Sequence, residues 1–318
     1  MESQCLYNSY ESVGIRLKKK KIRFAEPEEK RIARIFTAPA VIIVFLVLAI
    51  PMLFSFFISF TNYSMLKTDK LVFIGLGNYI ELFRDRVFME ALQRTALYIF
   101  LSIGLEFLAG MGIALLISRH VKPQGALRTL LTIPMMFAPV QVGFLFKWIF
   151  NDQTGLINNL VYSVTGIDRN IAWLVEPGLG FLSILTAEVW MSTPFMVLIL
   201  LAGLVSLSKE PFEAAKVDGA SSWQQFRFVT LPLMERYIYI SLVIRSMDIA
   251  RTYDIIRIMT DGGPANRTEM IWTYVYRLGI TSNKFAMGSA MSFVTVALAY
   301  VLVISLFRCI NRTGSDRV

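Results

Sequence analysis

Long apolar runs alternate with short polar stretches along this chain, and the alternation repeats six times. Apolar residues dominate windows near 35–60, 92–117, 127–150, 180–205, 237–259 and 286–307. Each is about as long as the roughly 20 residues an α-helix needs to cross the hydrocarbon core of a bilayer. None shows the residue-by-residue alternation of a transmembrane β-strand. The pattern predicts six transmembrane helices. Pro134 and Pro139 predict a kink in the third window, tolerable where packed neighbours satisfy the freed carbonyls.

The polar segment 206–232 carries more organisation than a connector needs. Pro211 suits the first turn of a helix, where its missing N–H is not required. "PFEAAKV" supplies good helix formers, and Gly219 ends them by taking a left-handed conformation cheaply. Ser221 with Gln224 has the form of a capping box that opens a second helix. In that helix Trp223 and Phe226 share a face, and Pro232 is expected to limit it before the fifth span. The prediction is helix, glycine turn, helix. Ala214 and Ala215 let another surface approach the backbone, with Glu213 and Lys216 offering charge beside it. Periodicity alone fits a helix docked on a partner and one resting on the membrane surface equally well.

Composition agrees with the pattern. Of 318 residues, 55% are hydrophobic and 17% charged, and the mean hydropathy is +0.55. That excludes an ordinary soluble domain. The net charge of +9 does not indicate nucleic acid, because the cations flank the apolar runs. Eighteen inter-span lysines and arginines fall on one side and eight on the other. The positive-inside rule then places both termini and the 206–232 loop in the cytoplasm. The run "RLKKKKIRF" reads as an arm that is solvated or touches lipid headgroups. The first apolar run is too long for a signal-peptide core and no small-residue cleavage site follows it. Cys5, Cys309 and a single histidine, His120, supply neither a disulfide framework nor a metal site. The organisation expected is a basic cytoplasmic tail at 1–34, a transmembrane domain at 35–310 with its loop at 206–232, and a cytoplasmic tail at 311–318.

Charge inside the fifth span is the second informative feature. Arg245, Asp248, Arg251, Asp254 and Arg257 stand at three-residue intervals, with Tyr253 among them. A charge at the centre of a membrane helix costs about 2.5–3.5 kcal/mol on insertion scales. Alternating signs permit local pairing, yet three-residue steps fall short of a full turn, so the series winds around the helix. One reading is an ion-pair ladder that locks the helix and joins it to a partner. The other is a polar path for a solute. Glu188 and Trp190 in the fourth span invite the same choice, Glu106 in the second more weakly. Lys147 and Trp148 read as interfacial anchors, Arg257 as a snorkelling cation, and Pro194 as a break in the fourth helix. Outside, Asp261-Gly262-Gly263-Pro264 reads as a turn. Thr268, Ile271, Tyr274, Val275 and Leu278 then form one helical face, for packing or for touching a protein outside the membrane.

The spacing E-A-A, three residues, G, nine residues, I-x-L-P is the cytoplasmic motif of binding-protein-dependent ABC importer permeases. This chain has Glu213-Ala214-Ala215, Gly219, then Val229-Thr230-Leu231-Pro232, departing only in Val229. "SFTNY" at 59–63, "FIGLGNYIELFRD" at 73–85, "AEVWMSTPFM" at 187–196 and "IRSMDIARTYDIIRIMTDGGP" at 244–264 resemble the carbohydrate branch of that family, of the maltose, trehalose and glycerol-3-phosphate type. The resemblance covers roughly 35–310. It implies an all-α membrane protein of the type I ABC importer permease fold, in a bacterial inner membrane. It also implies that the first loop helix docks on a cytoplasmic ATPase, through Glu213, Ala214, Ala215, Asp218 and Gly219. A second homologous permease, two ATPase copies and an extracytoplasmic solute-binding protein would complete the assembly. ATP and Mg would sit on the ATPase, since this chain has no G-x-x-x-x-G-K-S/T phosphate loop. Relatives handle sugars, glycosides, sugar acids and glycerol phosphates, and the arginines of the fifth span keep an anionic solute open.

Two rival classes are weighed against this. A stand-alone secondary transporter would use the fifth-span carboxylates as ion sites, but would leave the cytoplasmic elbow without a purpose. A membrane enzyme finds no nucleophile, histidine or metal constellation in the sequence.

Overall fold

The structure of the protein, a computed structural model, describes residues 27–66, 71–118, 124–166, 170–176, 178–249 and 252–315. The basic run 16–24, Cys5 and His120 lie outside the described residues. The chain divides into two compact units, Met1–Phe54 and Ser55–Val318. In the first, α1 (Pro27–Val44) passes into a π turn at Phe45–Ala49, and α2 (Ile50–Ile58) begins there and ends in the second. Phe36, Val41 and Leu48 are exposed, as suits side chains whose solvent is lipid. The π turn has a local cause. The Ile50 N–H bonds the Phe45 carbonyl, five residues back, one residue before Pro51. A proline has no N–H and its ring strikes the carbonyl four residues back, and the wider turn moves that carbonyl aside.

Among the described residues the second unit is helical, apart from one isolated antiparallel bridge between Thr61 and Phe73. Its elements are α3 (Gly77–Arg84), α4 (Arg86–Ser118), α5 (Gln124–Thr132), α6 (Pro139–Ile149), α7 (Leu156–Thr165), α8 (Leu179–Ser206), α9 (Glu210–Val217) and α10 (Ser222–Gln225). They continue as α11 (Leu231–Ile249), α12 (Asp254–Met259), α13 (Ile271–Tyr276) and α14 (Phe285–Ser315). Segments Arg31–Ile58, Arg86–Ser118 and Leu179–Ser206 are long and apolar enough to cross a membrane, and α14 contributes a shorter apolar stretch, Phe285–Val301.

The remaining two apolar windows are interrupted helices. The third divides into α5, a 3-10 turn at Pro134–Met136 and α6, whose first residue is Pro139. The fifth begins earlier than expected, at Leu231, and stops at Ile249, with α12 resuming at Asp254. Arg245 and Asp248 therefore stand on one helix, and Asp254 and Arg257 on the next. Two proline expectations also change. Pro194 lies inside an unbroken α8, with Met196, Val197 and Leu200 buried against Met111 and Ala114. Pro232 does not limit the preceding helix. A π turn at Phe226–Thr230, closed by the Leu231 N–H on the Phe226 carbonyl, carries α10 into α11 by the device used before Pro51.

Three apolar clusters hold the second unit together. One joins Tyr98, Phe146, Ile184 and Ile256, from α4, α6, α8 and α12. Another joins Met111, Met196, Leu200 and Met234, from α4, α8 and α11. The third packs Leu82, Phe88, Ile271, Tyr274, Leu278 and Met291. The predicted apolar face of the outer segment is thus turned into the protein. Close backbone approach sets the α4–α8 packing: a Cβ on Gly110 would lie 2.6 Å from that of Met196. Residues one turn from such a contact are brought within reach of the facing helix. Glu106 is one turn from Gly110.

Candidate functional site

Between the first two clusters, α4, α8 and α11 each contribute a charged side chain to one network. The buried face of α11 carries Met234, Ser241, Arg245 and Ile249, a helical spacing that aims Arg245 inward. Its guanidinium meets Glu106 in a fork, Nε to Oε2 at 2.6 Å and Nη2 to Oε1 at 2.9 Å. Nη2 also donates to Glu188 Oε1, and Nη1 to Asp248 Oδ2 at 2.9 Å. Tyr98 OH donates to Glu188 Oε2 at 3.0 Å, and Ser192 Oγ to Oε1 at 3.3 Å. Glu106, Glu188 and Arg245 are buried, with side-chain exposures of 0%, 1% and 3%, whereas Asp248 is 58% exposed. Charges removed from water this completely persist only when paired and hydrogen-bonded. The planar fork of arginine suits two carboxylates better than a lysine ammonium would.

The network forms one wall of a cavity of about 260 Å³, lined also by Thr252, Tyr253 and Asp254. A second cavity of about 610 Å³ shares Pro139, Met191, Arg245 and Asp248 with it and is faced by Phe137, Phe195, Ile244 and Met247. The interruption between α11 and α12 lies here. Non-helical backbone at membrane depth is tolerated where it lines such a cavity. Carboxylates and a phenol beside apolar and aromatic faces can hold a hydroxyl-bearing solute by hydrogen bonds and packing.

The sequence-predicted residues divide accordingly. Glu188, Arg245, Asp248, Tyr253 and Asp254 come together at the cavity. Arg251 lies outside the described residues. Trp190 faces rings instead, 5.5 Å from Phe146 and 6.3 Å from Phe137. Arg257 pairs with Asp261 and lies 5.2 Å over the ring of Tyr276. Along the helix Arg245 pairs with Asp248, and Arg245 also finds Glu106 and Glu188 on other helices. Sequence reasoning undervalued Glu106 and missed Tyr98. The available signal was an acid deep in the second span, which has to find a cation on another element.

The 206–232 elbow is built as its helix, glycine turn and capping box predict. Pro211 sits in the first turn of α9, and Gly219 turns the chain at φ +76°. The Ser221 N–H donates to Gln224 Oε1 at 2.7 Å, and the Gln224 N–H to Ser221 Oγ at 3.3 Å. The Trp223 and Phe226 rings lie 5.6 Å apart. Glu213, Ala214, Asp218 and Gly219 are exposed and Ala215 is half-buried. Val217 at 88% and Trp223 at 69% exposure extend an apolar surface beside them.

Residues 106–314 match the model of the family described as the binding-protein-dependent transport system inner membrane component. The chain is 35% identical over 271 residues to a probable ABC transporter permease protein of Sinorhizobium fredii, spanning 85% of this chain and 86% of that one. It is 32% identical over 293 residues to a trehalose/maltose transport system permease protein of Thermococcus litoralis, spanning 91% and 95%. Among solved structures it is similar to a bacterial alginate ABC transporter in complex with an alginate pentasaccharide-bound periplasmic protein. There the TM-score is 0.76 at 25% identity, over 88% of this chain and 93% of that one. With two thirds of its length matched by the family model, the chain belongs to the binding-protein-dependent transport system inner membrane components, the permease subunits of ABC importers.

Proposed function

We propose that the chain pairs with a second, homologous permease in a bacterial inner membrane to form the path for a carbohydrate or related polyol. An extracytoplasmic binding protein delivers the solute, and two copies of a cytoplasmic ATPase, holding ATP and Mg, drive the cycle. The names of the trehalose/maltose relative and the alginate transporter support the carbohydrate class. The observation that carries the energy-coupling reading is the elbow: an exposed Glu213 and Ala214 on a short helix fixed by Pro211, Gly219 and the Ser221–Gln224 box. A ligand-driven change needs differential contacts in two states, and a rigid exposed lever is where a moving ATPase makes them. The solute path runs past Glu188, Arg245, Asp248, Tyr253 and Asp254, with Arg251 and Trp190 near it. The transmembrane domain spans 35–310, with the tails 1–34 and 311–318 on the cytoplasmic side.

Glu213→Lys reverses the charge at the docking helix. Expected is loss of ATP-dependent uptake and of ATPase co-purification, with membrane insertion unchanged. Unchanged uptake would refute the coupling role, and uptake that persists in vesicles without any ATPase would replace it with an ion-driven carrier.

A further inference from the structure

We propose that Glu106 is a positioning residue that withholds Arg245 from the cavity, so that the wall offers carboxylate to a solute and favours neutral or cationic polyhydroxyl compounds over anionic ones. The inference rests on the solute-path reading above and narrows it. An arginine in a transport path ordinarily suggests an anion site, because the guanidinium recognises carboxylate and phosphate in a fork. Here the fork is already filled. Of the five N–H donors of a guanidinium, four reach carboxylate oxygens: two on Glu106, one on Glu188 and one on Asp248. The side chain is 3% exposed, while Asp248 beside it is 58% exposed. Among the described residues at the wall and directly behind it, Glu106, Glu188, Asp248 and Asp254 stand against the single cation Arg245. With Arg251, which the path reading places nearby, counted as a second cation, four carboxylates stand against two arginines, and the balance stays negative if any one carboxylate is protonated. Glu106 itself does not line the cavity and acts only through Arg245.

The test reads charge inside the cavity directly, on the full chain in membrane vesicles. Met191, which lines both cavities, is replaced by cysteine after Cys5 and Cys309 are changed to serine. The thiol is labelled with 2-(trimethylammonium)ethyl methanethiosulfonate and with 2-sulfonatoethyl methanethiosulfonate, and their rate ratio is referred to that for free 2-mercaptoethanol. One net negative charge at about 8 Å in a water-like dielectric raises the cation-to-anion ratio about fivefold. Expected is a ratio raised by at least that factor. Glu106→Gln removes a carboxylate and frees Arg245, so the ratio falls about fivefold or more, while Glu106→Asp keeps it high. Glu106→Gln in an Arg245→Gln background removes the same carboxylate with no guanidinium left to free, so the fall there should be clearly smaller; an equal fall in both backgrounds would show a field effect alone and overturn the assignment. If Glu106→Gln does not accumulate, Asp248→Asn supplies the second reading and should lower the ratio as well. A parent chain that labels faster with the sulfonate, as would suit an acidic solute, overturns the proposal outright. Uptake is followed separately with the binding protein, the partner permease and the ATPase present. Absence of ATP-driven uptake would sink the importer reading, whereas uptake with an anion-preferring cavity would sink only this inference.

Discussion

Replacing Arg245 by methionine removes the one cation that two fully buried carboxylates share. Glu106 and Glu188 have side-chain exposures of 0% and 1%, so water cannot take over the lost hydrogen bonds, and Tyr98 and Ser192 reach only Glu188. Breaking a buried ion pair by removing one partner costs about 3–5 kcal/mol, because the other charge stays desolvated. For a domain of this size each kcal/mol lowers the unfolding midpoint by about 2–4 °C. Arg245→Met should therefore lower it by about 6–20 °C, measured on the purified chain in detergent. The same reasoning makes a second, less intuitive demand. Arg245→Met combined with Glu106→Leu and Glu188→Met removes all three buried charges and should recover most of the loss, since an ion network exchanged for apolar groups of similar volume is often close to neutral. A single variant as stable as the parent, or a triple variant as unstable as the single, would refute the account of the network as charges held only by one another.

Further outcomes follow from local geometry. Gly110→Ala places a Cβ 2.6 Å from that of Met196 and should cost about 1–3 kcal/mol by overpacking. Gly112→Ala, in the same helix with nothing within 4 Å, should be stabilising by about 0.5–1 kcal/mol, and paired thermal melts check both. Gly219→Val forces a β-branched residue to φ +76°, costing about 1–2 kcal/mol. It should cut ATP-dependent uptake several-fold while insertion is unchanged, as read by vesicle transport beside quantified membrane protein. In the outer segment Glu269 is fully buried, 2.5 Å from Arg277 Nη2, and neither of its oxygens receives a directed hydrogen bond. Burial raises its carboxyl above the usual 4.5. The folded state then binds the proton more tightly than the unfolded one, so this contribution is present at low pH and lost as pH rises from 4.5 upward. Hydrogen exchange of residues 260–281, corrected for its intrinsic pH dependence, should show protection falling over that window, and Glu269→Gln should flatten the fall.

Much of this protein is legible in one dimension because its determinants are local. The apolar windows, the sidedness of lysine and arginine, and the elbow with its proline, glycine turn and capping box depend on residues within a few positions of one another. Bilayer insertion and backbone propensity read those directly. Proline was the exception. The sequence marks where Pro194 and Pro232 remove a donor, but whether the helix stops depends on what packs beside it. At Pro194 the helix continues, with Met196 and Leu200 buried beside it. At Pro232 a π turn accommodates the ring.

Only the tertiary structure decided the partners of the buried charges. Spacing within the fifth span proposed that its arginines and aspartates pair along one helix, and Arg245 does meet Asp248 in that way. Arg245 also joins residues 139 and 57 positions away, because Gly110 lets α4 approach α8 closely enough to bring Glu106 within reach. Chain separation carries no information about such meetings. A carboxylate in hydrocarbon has to find a cation, but which one it finds is settled by where the helix backbones can touch.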